Sequence, residues 1–386
     1  MFDFIINILL VVVVLGLLVF IHEFGHFLAA RSIGVKVFEF SLGFGPKIVG
    51  KRHKGTLYCI RAFPIGGYVK ILGDGDPGEE EKVSKELLKN ANLATRSKIQ
   101  QIYVMLAGVA MNLLLAVSVY YIVLGNSGWK LYVSIDLSNF SAVGASIGRE
   151  KVGDAEYIEL KEGGNAEKAG MPAKGSIVSI DGISVEYSDD ISKIIKENKD
   201  EVISMNVCTV DAEKICQDYN VQVSSEGFIG IITVPNYVYF VSYSEHKGSA
   251  GFSHLINNVR LMGILLSDMF TEAKSTGDYS DLSNSVSGPI GMYYVLSSFK
   301  KDGIIAFLGV VADLSLSLAI MNILPIPALD GGRVFILFLE GLFRKDLNKN
   351  IEAIIINLSF IFLMLLTVAV MVKDILNIDE IKSMFG

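Results

Sequence analysis

Charge, cysteine and histidine are all scarce in this chain, and each shortage excludes something. Only 19% of its 386 residues are charged, against 51% hydrophobic ones, and the mean hydropathy is +0.47. That balance excludes an ordinary soluble domain, and the chain is too long for a single core. Three cysteines, Cys59, Cys208 and Cys216, offer no cysteine metal cluster. Cys208 and Cys216 read either as a disulfide across a hairpin or as two small hydrophobes in strands. A net charge of −7 with no basic stripe excludes nucleic acid as a partner. The first residues hold Asp3 and no Lys or Arg, and no small-x-small site follows the first apolar run, so a cleaved signal peptide is not expected. No internal repeat is evident.

What the chain does have is apolar runs long enough to cross about 30 Å of hydrocarbon. They occur at Ile5–Ala30, Ile102–Leu124, Ile304–Leu324 and Ile354–Val372, predicting a multi-pass protein of the lipid bilayer with both termini on one side. Residues 31–100 carry 13 Lys/Arg against 7 Asp/Glu, whereas 125–303 carry 15 against 24. By the positive-inside tendency the first segment is cytosolic and the second lies outside. Arg344, Lys345 and Lys349 in a short loop, 333–350, agree.

The expected organisation is an N-terminal membrane half at 1–127, an extracytoplasmic domain at 128–245, an amphipathic membrane-surface region at 246–303 and a C-terminal membrane half at 304–386. Within 31–98, glycines at 34, 43, 45, 50, 55, 66 and 67 punctuate short β-prone pieces. Ile48-Val49, a basic turn at 51–55 and Leu57–Ile60 read as a hairpin. Such strands either offer a free edge to an unfolded segment or are simply a cytosolic hairpin. Residues 73–98 read as a surface helix with a flexible lead. The 128–245 segment alternates β-prone runs with turns around one helix, 188–198, as a small α/β domain. In 250–270, Phe252, Leu255, Ile256, Val259, Met262, Leu265, Leu266 and Met269 oppose Asn257, Asn258 and Arg260, the pattern of a helix lying on a membrane or packed on the soluble domain.

Inside the first apolar run stands His22-Glu23-Phe24-Gly25-His26. On a helix, two His four apart share a face and can ligate one Zn²⁺, while the Glu beside the first acts as general base on water at the metal. Each ionisable residue in mid-membrane costs roughly 2.5–3.5 kcal/mol on insertion scales, so three together point to a metal or partner. A catalytic zinc needs a third protein ligand. The best candidate, Asp330, lies in Asn322-Ile323-Leu324-Pro325-Ile326-Pro327-Ala328-Leu329-Asp330-Gly331-Gly332, at the end of the third span, where two prolines interrupt the helix. Irregular backbone at that depth belongs where it is buried or lines a wet cavity. Asp330 equally suits the N-cap of a following helix, and Asn322 an interhelical hydrogen bond. Asp313, in an unbroken part of the span, is a weaker candidate ligand. His53, His246 and His254 read as surface residues.

Taken together, the His22–His26 motif, Gly43-Phe44-Gly45-Pro46, Gly67-Tyr68-Val69-Lys70 and the 322–332 segment resemble the site-2 protease family. More narrowly, they resemble the bacterial regulators of sigma-E protease type, zinc intramembrane metalloproteases that carry a PDZ domain. The resemblance implies zinc held by His22, His26 and Asp330, Glu23 as catalytic base, and substrate handling by Asn322, Pro325 and Pro327. It implies the same for a membrane-dipping β element containing Gly43, Phe44, Gly45, Gly67 and Tyr68. Residues 164–171 and 175–182 resemble the bacterial PDZ pattern, with Ser176 in place of the usual acidic residue; length allows one such domain. Implied partners are single-span membrane substrates, such as trimmed anti-sigma factors or remnant signal peptides, and extracytoplasmic peptides or ectodomain stubs bound by the PDZ domain. The implied location is the bacterial cytoplasmic membrane. A non-catalytic scaffold and a metal transporter are the rival classes; the first predicts a dispensable Glu23, the second zinc flux.

Overall fold

In a computed structural model of the chain, residues 2–74, 89–210 and 214–385 are described. The chain divides into two compact units, Met1–Asn126 with Gly248–Gly386, and Ser127–Lys247.

Helix α1, Phe2–Ser32, is rich in Leu, Val, Ile and Phe. At 1.5 Å per residue it is about 46 Å long, enough to cross a bilayer. Val11, Val14, Leu18, His22, Gly25 and Ala29 are buried along it. These steps of three and four make one stripe, and the two His lie on it. Two long strands follow, β1 (Val37–His53) and β2 (Thr56–Ile71), joined at Lys54-Gly55.

The hairpin read from the sequence is therefore only the outer part of a longer ribbon. Glu39 to Leu42 pair twice, with Lys70 to Gly67 and with Leu57 to Ile60. The ribbon folds back on itself, placing 37–42 between 56–61 and 67–71 and leaving 67–71 at an edge. Gly43, Gly45 and Gly66 have φ of 86°, 83° and 90°, a left-handed backbone that allows the bulges at the fold. These three glycines, which look like strand breaks, are bends within strands. Residues 75–88, most of the expected surface helix, lie outside the described residues.

Helix α2, Lys98–Asn126, packs its Met105, Gly108, Asn112, Ala116 and Tyr120 face inward. The α1–α2 contact is close because both partners are small. A Cβ at Gly25 would stand 2.3 Å from the Ala107 carbonyl oxygen, the kind of approach that membrane helices use where lipid removes the hydrophobic drive.

The second unit contains a sheet of order β10-β5-β6-β8-β9, with β7 paired to β6, from β5 (Glu156–Leu160), β6 (Gly175–Ile180), β7 (Ile183–Ser184), β8 (Val202–Cys208), β9 (Cys216–Gln222) and β10 (Ile231–Thr233). A separate three-stranded sheet joins β3 (Lys130–Val133), β11 (Tyr237–Ser242) and β4 (Ser146–Lys151). One turn of helix, Asn165–Lys168, and α3, Ser188–Glu197, complete it. Tyr157, Ile177, Ile180, Ile191, Ile203, Met205 and Val221 form its core, each worth about 1.5–3 kcal/mol on burial. Cys208 and Cys216 are joined as a disulfide across the β8–β9 pair.

Back in the first unit, α4, Ala250–Thr276, departs from expectation in its orientation. Asn257 is buried and Asn258 bonds into the bundle, whereas Phe252, Val259, Leu265, Leu266 and Phe270 are exposed. The two asparagines turn to the protein and several of the large apolar side chains away from it, the reverse of a helix on a soluble core. His254, expected at the surface, sets its ring edge-on to Tyr120 at 4.6 Å. Helix α5, Pro289–Lys301, begins at the Ser287–Gly291 turn, where the fully buried Asp374 carboxylate accepts from the N–H groups of Gly288 (2.9 Å) and Gly291 (3.0 Å). Its Leu296 packs with Val11, Val14 and Leu18 of α1.

Then come α6, Ile304–Ile323, α7, Asp330–Phe343, α8, Lys349–Leu376, and α9, Ile378–Phe385. The segment read as a short loop after Arg333 is thus largely helix α7. Among the described residues, four helices are long and apolar enough to cross a membrane: Asp3–Ser32, Lys98–Asn126, Ile304–Ile323 and Lys349–Leu376.

Candidate metal centre

Helix α1 presents His22 and His26 on its buried stripe, with their Nε2 atoms 3.1 Å apart. Chain reversal at the end of α6 brings in the third group. Leu324 to Leu329 form tight turns, closed by Ile326 N–H to Leu324 O and Leu329 N–H to Ile326 O. Gly331 and Gly332 let the new helix pack against that turn, since a Cβ on either would meet the Ile323 or Ile326 carbonyl at 2.2 and 2.1 Å. Asp330 opens α7, but Leu329 is its N-cap. The Asp330 carboxylate turns to the histidines instead, its Oδ2 2.9 Å from His22 Nε2 and 3.2 Å from His26 Nε2.

Among the described residues this is the set of three His, Cys, Asp or Glu groups placed to hold a metal ion. The edges of the triangle, 2.9, 3.1 and 3.2 Å, are close to the about 3.3 Å separating ligands around a tetrahedral zinc with bonds near 2.0 Å. Asp330 Oδ2 is buried without a hydrogen-bond partner. Two nitrogens and an orphaned carboxylate oxygen aimed at one point fit a zinc ion and leave a fourth position open. Gly108 of α2 faces the centre: a Cβ there would lie 2.5 Å from His26 Nε2 and 2.7 Å from His22 Cε1. Gly108→Ala is therefore expected to weaken zinc binding about tenfold or more, the scale of losses from disturbing ligand orientation; equilibrium dialysis against zinc buffers measures it.

Glu23, one residue along, accepts at Oε2 from the Val69 N–H of the ribbon edge at 3.0 Å. The Gly43-Phe44-Gly45 bend and Tyr68 are joined by their own network. Phe44 stacks on Tyr68 with ring centroids 5.9 Å apart, and Arg61 Nη1 donates to the Gly45 carbonyl at 2.5 Å. Glu39 Oε1 accepts from Tyr68 (2.7 Å), Cys59 (3.0 Å) and Arg61 (Nη2, 2.5 Å). Burial opposes charge on Glu39, but these donors outweigh it and hold the carboxyl below its ordinary range. Burial, then the bond to Glu39, pushes the Tyr68 hydroxyl up to about 12, so it stays a donor. Gly67 lies flat on the ribbon, where a Cβ would stand 2.6 Å from the Ser41 carbonyl.

Asn322 is half-buried in the last turn of α6, Pro325 is exposed and Pro327 half-buried. Asp313 is not part of the centre. Its carboxylate accepts from Tyr120 (2.6 Å) and from Asn258 (3.3 Å), bridging α6 to α2 and α4.

Three further groups escape sequence reasoning. Asn112 faces His22 Nδ1 at 3.2 Å. Val104 offers its carbonyl to His26 Nδ1 at 2.8 Å. Arg333 pairs with Asp74, tying the end of the ribbon to the helix that carries Asp330. Asn112 alone had a sequence signal, as a carboxamide inside an apolar run; a backbone carbonyl has none.

The chain matches the profile described as Peptidase family M50 over residues 10–366. It is 30% identical over 372 residues to a protein of Clostridium acetobutylicum, covering 96% of this chain and 97% of that one. A protein of Staphylococcus aureus strain N315 is 28% identical over 430 residues, covering 97% and 99%. One from Campylobacter jejuni is 30% identical over 360 residues, covering 89% and 86%. All three bear the name "Putative zinc metalloprotease".

Proposed function

Because the chain belongs to peptidase family M50, the site-2 protease family, we propose that it cleaves peptide bonds inside the transmembrane segments of single-span membrane proteins. The observation that carries this reading is the meeting on one point of His22 and His26, from a helix of membrane-crossing length, and Asp330, which opens the short helix that follows another such helix. Zinc, the metal in the relatives' names, would supply polarisation of the scissile carbonyl and acidify water at its open position.

The chain's own residues do the rest. Glu23 takes a proton from water and hands it to the leaving amine. A substrate helix hides its carbonyls in i→i−4 bonds and must unwind locally before attack. The 67–71 run is a sheet edge whose Val69 N–H already points at Glu23, so an extended substrate segment added to that edge lies beside the base. Phe44 and Tyr68 stiffen the neighbouring bend, while Asn322, Pro325 and Pro327 shape the side on which Asp330 enters. Four apolar helices suit a multi-pass location in the bacterial cytoplasmic membrane.

The Ser127–Lys247 unit is read as an extracytoplasmic PDZ domain that engages trimmed ectodomain stubs or free peptide ends. Its disulfide supports the outer side, since such bonds persist in oxidising compartments. Anti-sigma factors or remnant signal peptides suit this layout.

The test is cleavage by the purified protein of a single-span substrate in lipid vesicles, with the products identified by mass spectrometry. Cuts are expected within the apolar segment, lost on zinc chelation and restored by zinc. Cuts confined to the flanking soluble parts, or cleavage unaffected by chelation, would falsify the proposal.

A further inference from the structure

We propose that Asn112 is a positioning residue for the metal, its side-chain carbonyl receiving the Nδ1 proton of His22 so that Nε2 stays free to bind. The inference rests on the reading that His22, His26 and Asp330 hold zinc.

A neutral imidazole carries one N–H. To bind a metal through Nε2 it must keep that proton on Nδ1, and an acceptor facing Nδ1 holds it there. His26 has such an acceptor in the Val104 carbonyl, 2.8 Å from its Nδ1. A backbone carbonyl can only accept, so the His26 tautomer is settled.

The group facing His22 Nδ1 is the amide of Asn112, at 3.2 Å and fully buried. Its two ends have opposite consequences. If the NH₂ faces the ring, Nδ1 accepts and the proton sits on Nε2, the atom aimed at Asp330 Oδ2 2.9 Å away, where the metal belongs. That orientation also leaves Asn112 Oδ1 buried without a partner. Turned by 180°, Oδ1 takes the Nδ1 proton and Nε2 presents its lone pair. The amide oxygen and nitrogen are nearly equal in size, so the turn needs no repacking. Asn112 is itself held in register: Ser315 of α6 donates through Oγ to its backbone carbonyl at 2.9 Å. The α2–α6 contact therefore fixes where His22 finds its acceptor.

The experiment measures zinc affinity by competition with a chromogenic chelator, on the full-length protein in detergent, for the native chain, Asn112→Leu and Asn112→Asp. Removing an outer partner of a ligating His typically costs about 10–100-fold in metal affinity, and that loss is expected for Asn112→Leu. Asn112→Asp is expected to bind at least as tightly as native, because a carboxylate only accepts. It reinforces an Nδ1 proton but repels a bare Nδ1 lone pair. Weaker binding by Asn112→Asp, or native affinity in Asn112→Leu, overturns the proposal. If Asn112→Leu does not fold, the Asp variant decides alone. A native protein without zinc affinity would sink the metal-site reading itself, a result distinct from native binding with indifferent variants.

Discussion

Glu23→Gln is expected to keep its zinc and lose cleavage by about 10²–10⁴-fold, the usual worth of a positioned general base. Glutamine has the shape of glutamate, and its side-chain oxygen can still accept the Val69 N–H that Oε2 accepts at 3.0 Å. The ribbon edge should stay where it is. His22, His26 and Asp330 are untouched, so the metal-binding triangle keeps its dimensions. What disappears is a basic oxygen able to take a proton from water. Zinc per protein, measured by atomic emission, and turnover of a reconstituted substrate separate the two effects. Glu23→Ala is a useful contrast, since it removes both the base and the brace on Val69. Cleavage by Glu23→Gln within a few-fold of native would remove Glu23 from the chemistry.

The parts of this protein legible in its sequence are those where one residue type has few alternative uses. An apolar run of membrane length can do little else than span, and the ends of the expected helices shifted by no more than a few residues. The His pair was legible because a period of 3.6 puts residues four apart on one face, whatever that face packs against. Its meeting with Asp330, about three hundred positions away in the chain, rests on the double-proline turn and on two glycines that admit the Ile323 and Ile326 carbonyls. The turn could be read; the close approach could not.

Other features were hidden for physical reasons. Amphipathicity in α4 shows that the helix has two faces but not which one meets protein, and a membrane reverses the usual answer. Six apolar residues in a row, 334–339, were hidden inside a segment read as a basic loop, because α7 is too short to span and Arg344, Lys345 and Lys349 follow it. The continuous β ribbon reads in the sequence as a short hairpin and a separate glycine-broken piece at 66–71, because glycine marks both turns and bulges, and only pairing partners tell them apart. Asp374 gave no sign of its role, since its two acceptor bonds go to backbone N–H groups 86 and 83 residues away.

Asp330→Ala is expected to strip the protein of zinc and of activity together. Two imidazoles alone do not hold a catalytic zinc, which takes three protein ligands and one open position. The loss should go well beyond the about 10–100-fold attached to outer partners such as Asn112. Helix α7 should survive the change. Leu329 is the N-cap, Asp330 caps nothing with its side chain, and alanine is a good first-turn residue. A folded, metal-free protein is therefore the expected product, recognisable by an unaltered elution volume in detergent beside a zinc content near zero. The matched control is Asp313→Ala. Asp313 is also an acid inside α6, but it is committed to Tyr120 and Asn258. Its loss should loosen α4 on the bundle and leave zinc in place. Full zinc in Asp330→Ala, or loss of zinc in Asp313→Ala from a protein that still folds, would move the third-ligand role away from Asp330. Either result would require the two halves of the membrane unit to meet differently from the arrangement in which Asp330 Oδ2 lies about one tetrahedron edge from both imidazoles.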